Sequence, residues 1–219
     1  MTQGKLTAAQ VDILRALAGA TPRWRLTGGA ALAGFYTRHR GTRDLDLLWE
    51  CPDLMHVGEE VERRLAEAGL SSEVVQRAPA FRRLRVKQGD EVVILDLVAD
   101  PMPVVTEPTD QAVGDRRILV DAPHELLVAK LSALLGRSEL RDLEDVRALL
   151  GAGGDLARAM ADAPRKDAGF STLTLAWVLE QFPVEALARA LGRSSDEAEQ
   201  LGRFREELVR EVLSASKPE

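Results

Sequence analysis

The chain has 219 residues, 45% of them apolar, and a net charge of −6. That length holds one moderate domain or two small ones with a sizeable core, and the acidic balance argues against broad non-specific nucleic-acid binding while leaving room for a local basic cleft. A single cysteine, Cys51, excludes an intrachain disulfide and a thiolate metal cluster and fits a reducing cytoplasm; no stretch is apolar for long enough to span a membrane, and the N-terminus reads as an amphipathic helix rather than a signal peptide.

Residues 7–20 place Val11, Leu14, Leu17 and Ala18 at helical spacing behind Thr7, a capping residue. A short extended piece follows at Trp24 to Leu26, and Gly28-Gly29 opens a small-residue helix to about Arg38. Asp44-Leu45-Asp46-Leu47-Leu48-Trp49 reads as a strand, broken at Pro52. Asp53 can cap a helix that runs to about Ala68 and stops at Gly69. A short strand is expected at 73–76, then a hairpin whose arms, 81–87 and 91–98, flank Gln88-Gly89-Asp90. In its first arm Leu84 and Val86 alternate with Arg83, Arg85 and Lys87, so one face is wet. The second arm is apolar on both faces, like a central strand. Pro101, Pro103 and Pro108 mark an irregular connection before a strand at 117–120. From Pro123 onward the pattern is helical: a helix through Leu135, a second capped by Ser138, a third at about 155–162, and two or three more to about Ser214, broken near Pro183 and capped near Ser194 or Ser195. The composition shift at Pro123 divides the chain into a mixed α/β domain, 1–122, and an all-helical one, 123–219.

Asp44 and Asp46 lie two apart in their strand and therefore project from the same face. Two carboxylates that close repel unless a cation sits between them, and hard oxygen ligands on a rigid strand suit Mg²⁺. Among 35 acidic residues an isolated Asp-x-Asp arises easily by chance. Asp96 changes that reading, because it sits inside the apolar run Val92–Val98, where a carboxylate is costly unless paired, hydrogen-bonded or on a metal. Arg38, Arg40 and Arg43 can supply a basic cleft beside the aspartates, and Arg82, Arg83, Arg85 and Lys87 form a second basic cluster. In the helical half, Lys130, Arg137 and Arg141 recur at intervals of seven and four. They share a face if the helix is continuous, or meet across two helices if Gly136 interrupts it. Arg141 and Asp145 also stand at i, i+4, the spacing of an ordinary surface ion pair. Beside a carboxylate site such cations suit a polyphosphate. His39, His56 and His124 show no metal-ligand spacing.

Gly28-Gly29-Ala30-Ala31-Leu32, Thr42-Arg43-Asp44-Leu45-Asp46, Asp96 in its strand, and Lys130, Arg137 and Arg141-Asp142-Leu143-Glu144-Asp145 together resemble the nucleotidyltransferase superfamily, and within it the AbiEii-type abortive-infection toxin family. The resemblance spans about residues 24–150. It implies an α+β fold, a small mixed β-sheet flanked by helices, with an all-helical C-terminal subdomain closing the nucleotide cleft. It implies Asp44, Asp46 and Asp96 as catalytic residues that hold one or two Mg²⁺ ions. It also implies nucleotide contacts at Gly28, Gly29, Thr42, Arg43, Lys130, Arg137, Arg141 and Asp145, with Asp145 orienting Lys130 or Arg141. The wider superfamily usually has Gly-Ser where this chain has Gly28-Gly29, so phosphate contacts here fall to backbone N–H groups.

The implied reaction moves a nucleoside monophosphate from an NTP to an acceptor hydroxyl and releases pyrophosphate. A toxin-type enzyme of this kind would act in the cytoplasm on RNA, such as a tRNA end, under the control of a separate antitoxin. The alternatives are a small-molecule or protein acceptor, and a non-catalytic nucleotide-binding module.

Overall fold

Seven strands build one mixed sheet: β1 (Trp24–Thr27), β2 (Asp44–Trp49), β3 (Ser71–Ala78), β4 (Phe81–Gln88), β5 (Glu91–Ala99), β6 (Thr109–Val113) and β7 (Arg116–Val120), in the spatial order β3-β4-β5-β2-β1-β7-β6. β2 runs parallel to β5 and β1 parallel to β7; the other neighbours are antiparallel. This is a computed structural model, and it describes residues 4–215. The chain divides between Ala122 and Pro123 into two compact units, the sheet lying wholly in the first.

Alternation fixes which way each strand faces. In β2, Leu45, Leu47 and Trp49 are fully buried while Asp44, Asp46 and Leu48 are partly exposed. Leu26 of β1, Leu84 of β4 and Leu95 and Leu97 of β5 are also fully buried; the register sets Leu26, Leu95 and Leu97 beside these β2 residues and Leu84 beside Leu95. The Trp24 and Trp49 rings, opposite one another across β1 and β2, lie 5.9 Å apart. Helices α1 (Ala8–Leu17) and α3 (Met55–Glu67) contact each other and the sheet, burying Ile13, Leu14, Leu17, Val61 and Leu65. Each such side chain contributes about 1.5–3 kcal/mol. The opposite face of β2 and β5 is left to Asp44, Asp46, Ile94 and Asp96.

The caps expected at Thr7 and near Ser194 form: Thr7 and Gln10 make a reciprocal capping box at the start of α1, and the Ser194 hydroxyl accepts from the Glu197 N–H. At α3 the N-cap is Leu54, which makes no side-chain cap, and Asp53 accepts from the Met55 N–H from one residue further out. Three local expectations are revised. First, the connection after Pro108 is not irregular throughout: Thr109–Val113 pairs with β7 as a hairpin edge, turning on Gly114-Asp115. Second, the helix after Gly28-Gly29 is only α2 (Gly28–Ala31), and continues as a π-turn, Leu32–Tyr36, which ends before Arg38. Third, Ser138 does not cap the second helix of the helical unit. It adopts φ 45°, its hydroxyl donates to the Leu134 carbonyl, and Glu139 stands at the N-cap.

The second unit contains α4 (Pro123–Arg137), α5 (Leu140–Gly151), α6 (Leu156–Asp162), α7 (Thr172–Gln181), α8 (Val184–Ala190) and α9 (Ser195–Ala215). α4 packs against α5, α6 and α7, and α9 against α7 and α8. Leu126, Leu127, Leu131 and Leu134 of α4 and Leu143, Val146 and Leu149 of α5 are buried. Among the described residues no helix is long and apolar enough to cross a membrane.

Candidate active site

The parallel pairing of β2 with β5 sets Asp46 directly beside Asp96, with Asp44 beside Ile94. Residues in register on neighbouring strands project to the same side, so all three carboxylates stand on one face of the sheet. The antiparallel pairing of β4 with β5 then sets Arg83 beside Asp96 on that face. Arg83 binds Asp96 in a fork, Nε to Oδ1 and Nη2 to Oδ2, both at 2.7 Å. Its guanidinium also lies 5.6 Å from the centre of the Phe81 ring. The Asp96 contact, by hydrogen bond first and charge second, raises the Arg83 pKa above its ordinary value, and the charges of Asp44 and Asp46 add to it. Asp96 itself is 7% exposed. Among the described residues no group of three or more His, Cys, Asp or Glu side chains is arranged to hold a metal ion. Both Asp96 oxygens are turned to Arg83 instead.

The Gly-Gly turn is built around one of these carboxylates. Thr27, the last residue of β1, pairs with Asp46, and Gly28 follows at φ 67°. A Cβ on Gly28 would fall 2.5 Å from Asp46 Oδ2, so only glycine lets the backbone come this close. A Cβ on Gly29 would lie 3.0 Å from Nη2 of Arg40, which places that guanidinium against the turn. Thr42 braces the loop before β2. Its hydroxyl accepts from the Asp44 N–H at 3.2 Å, and its carbonyl accepts from the buried Gln10 amide at 3.1 Å. The Arg43 carbonyl accepts from the Ile94 N–H, which ties the loop to β5. The donor set therefore suits a hard cation: Asp44 and Asp46 offer carboxylate oxygens from one rigid strand, beside a turn whose backbone is bare of side chains.

The helical constellation is closed on itself. Lys130 of α4 is 7% exposed, and its Nζ lies 2.8 Å from Asp142 Oδ1 and 2.7 Å from Asp145 Oδ2 of α5. Both aspartates are fully buried. Arg137 reaches back from the end of α4 to hold Asp142 through Nε at 2.8 Å and Nη2 at 3.1 Å. Burial is the largest influence on the Asp142 carboxyl and pushes its pKa up, but the contacts to Arg137 and Lys130 together outweigh it and hold the pKa below the ordinary value. Arg141 Nε lies 2.5 Å from Glu139, and Asp145 is bound to Lys130. The helix break at Ser138 splits the cations, Lys130 and Arg137 on α4 and Arg141 on α5. Arg137 and Arg141 keep 47% and 46% of their side-chain surface exposed.

Two residues stand out here that the sequence pattern did not single out individually: Arg83, seen only as part of a basic cluster, and Arg40, seen only beside the aspartates. For Arg83 the signal was its place on the wet side of an alternating arm that precedes the Asp96 strand.

The family described as nucleotidyl transferase AbiEii toxin, type IV toxin–antitoxin system, matches residues 12–216. The chain belongs to that family. It is a nucleotidyltransferase of the toxin–antitoxin class. No curated protein sequence matches it. Among solved structures it is similar to JHP933 from Helicobacter pylori, at 18% identity and TM-score 0.57 over 94% of this chain and 90% of that one. It is similar to MenT4, a nucleotidyltransferase toxin from Mycobacterium tuberculosis, at 16% identity and TM-score 0.52 over 94% and 89%. It is also similar to the antibiotic-resistance factor ANT(2'')-Ia, at 15% identity and TM-score 0.51 over 77% and 96%. At these identities the structural likeness establishes the fold: the mixed sheet with flanking helices is that of nucleotidyltransferases.

Proposed function

We propose that this protein is a Mg²⁺-dependent toxin that transfers a nucleoside monophosphate from an NTP to a hydroxyl of RNA, a tRNA end, releasing pyrophosphate. It works in the cytoplasm under restraint by a separate antitoxin. The observation that carries this reading is the register of β2 with β5, which sets Asp46 beside Asp96 with Asp44 on the same face, next to Gly28. Asp44 and Asp46 would hold the Mg²⁺, which when bound compensates charge on the triphosphate. Gly28 and Gly29 leave their backbone open to phosphate oxygens, and Arg40 and Arg43 add positive charge at the same loop. Thr42 fixes that loop by accepting from the Asp44 N–H, and its hydroxyl can still donate its own proton to a phosphate oxygen. Asp96 lies within the reacting group of side chains, held by Arg83. In the helical unit Lys130 and Asp145 set the packing of α4 on α5, while Arg137 and Arg141 present cations to solvent, the chemistry that a polyphosphate or an RNA backbone requires.

MenT4, named a nucleotidyltransferase toxin, supports the toxin reading. A small-molecule or protein acceptor is supported by the net charge of −6 and by the fold shared with an antibiotic-resistance factor. The experiment that separates them incubates the protein with each labelled NTP, Mg²⁺, and either total tRNA or the protein and small-molecule fractions of a lysate. Label on tRNA is expected. Asp44→Asn should lower transfer by at least about 10²-fold, the usual loss when one electrostatic contact to developing charge is removed. A folded Asp44→Asn protein that transfers nucleotide at the wild-type rate refutes the reaction, and label confined to protein or small molecules refutes the RNA acceptor.

A further inference from the structure

The third carboxylate is already in the company of a cation. Both Asp96 oxygens accept a charge-assisted hydrogen bond from one planar guanidinium at 2.7 Å. Such forks are the strong end of the hydrogen-bond range and carry directional preference. The Arg83 side chain is 42% exposed but is held from two sides. It is Asp96's direct partner in the β4–β5 ladder, and its guanidinium is further seated on the Phe81 ring. A guanidinium stays protonated at any working pH, and the neighbouring Asp44 and Asp46 reinforce its charge. A second divalent ion arriving at Asp96 would meet a fixed positive charge. It would have to displace or share two charge-assisted bonds, and it would have to shed water to reach a carboxylate that is 7% exposed. Mg²⁺ sheds water reluctantly.

We propose that Arg83 occupies the cation position at Asp96, so that the site takes a single divalent ion, held by Asp44 and Asp46, with Asp96 serving as the anchor of Arg83 rather than as a metal ligand. This rests on the reading of Asp44 and Asp46 as the metal-holding pair. It departs from an arrangement in which two ions about 3.5–4 Å apart share the acidic group. In its place it makes Arg83 a protein-supplied charge that is always present, and it makes Asp96 a positioning residue for that charge.

Mn²⁺ is the probe, because electron paramagnetic resonance distinguishes an isolated Mn²⁺ from an exchange-coupled pair, and equilibrium dialysis counts ions per chain. The full chain is titrated with Mn²⁺ in the presence of a non-reactive NTP analogue. One uncoupled ion per chain is expected. Arg83→Gln, which uncovers Asp96, should bind a second ion and show a coupled spectrum, while Asp96→Asn should keep the single ion. Two coupled ions on the wild-type protein overturn the inference and leave the nucleotidyl-transfer reading standing. Loss of the ion in a folded Asp96→Asn protein also overturns it, because Asp96 would then be a ligand. An Arg83→Gln protein that folds and still binds one ion overturns the claim that Arg83 excludes the second. No bound ion on a wild-type chain that holds the analogue overturns this inference and the metal reading beneath it together. Should Arg83→Gln not fold, the wild-type count and Asp96→Asn still decide the matter.

Discussion

Lys130→Met is the substitution whose outcome the structure specifies most sharply. The ammonium sits 2.8 Å from Asp142 and 2.7 Å from Asp145, and both carboxylates are fully buried. Methionine matches the length of the lysine stem but removes the ammonium that lies between two buried carboxylates, while Arg137 continues to hold Asp142. Breaking a buried pair by removing one partner costs about 3–5 kcal/mol, because an uncompensated charge stays behind. A residue that only reached out to a nucleotide would cost within about 0.5 kcal/mol. For a unit of this size each kcal/mol shifts the melting temperature by about 4–8 °C, so a fall of about 12 °C or more is expected for the helical unit. The assay is thermal and urea unfolding followed by far-ultraviolet circular dichroism, without nucleotide. Lys130→Met combined with Asp142→Asn and Asp145→Asn should recover much of the loss, since it removes the stranded charges along with the lysine. A Lys130→Met protein that melts within about 2 °C of wild type, a shift below 1 kcal/mol, would refute the structural role argued for this network.

Two further outcomes follow from the same geometry. Gly28→Ala should cost at least about 1–2 kcal/mol from its left-handed backbone alone and should reduce nucleotide transfer by about 10²-fold, because the new Cβ would lie 2.5 Å from Asp46 Oδ2 and shift that carboxylate; Gly41→Ala, which meets no atom within 4 Å, is the control in a urea titration and transfer assay. Asp142 has a folded-state pKa below its ordinary value of 3.8. Its ionised form therefore stabilises the fold above that pH, and the contribution is lost as pH falls from about 4 through the lower folded value; urea midpoints measured from pH 7 to pH 3 should fall more steeply for wild type than for Asp142→Asn, and equal slopes would count against the linkage.

The sheet was legible where one face is buried and the other is not. Asp44–Trp49 declares itself by alternation, and the apolar run around Asp96 declares a central strand, which its place between β4 and β2 bears out. What alternation does not contain is pairing. That Asp46 stands beside Asp96, and Asp96 beside Arg83, depends on which strands are neighbours and in what register. Strand β6 was missed because Pro108 and a polar run, Thr109-Asp110-Gln111, hide an edge strand with little to bury; the turn at Gly114-Asp115 was the available signal. The spacing of Lys130 with Arg137 and Arg141, and the family resemblance, point it at a nucleotide, and lysines are rarely buried; the structure gives it 7% exposure. Asp142 and Asp145, three apart and so on one face of α5, were the hint that it had partners.

The two cation–carboxylate groups differ in what fixes their geometry. Lys130, Arg137, Asp142 and Asp145 meet across a helix pair, through flexible arms whose positions follow the packing of α4 on α5. A shift of a few tenths of an ångström there changes little, because long side chains adjust. Asp46, Asp96 and Arg83 stand in one row across the neighbouring strands β2, β5 and β4. Backbone hydrogen bonds lock that row, and a slip of one residue would turn every side chain of a strand to the opposite face and drive Leu45, Leu47, Leu95 or Leu97 out of the core. Chemistry that depends on placement to a fraction of an ångström is better carried by the sheet than by the helix pair. Lys130 should therefore reveal itself first in stability, and Arg83 first in how many ions the acidic face accepts.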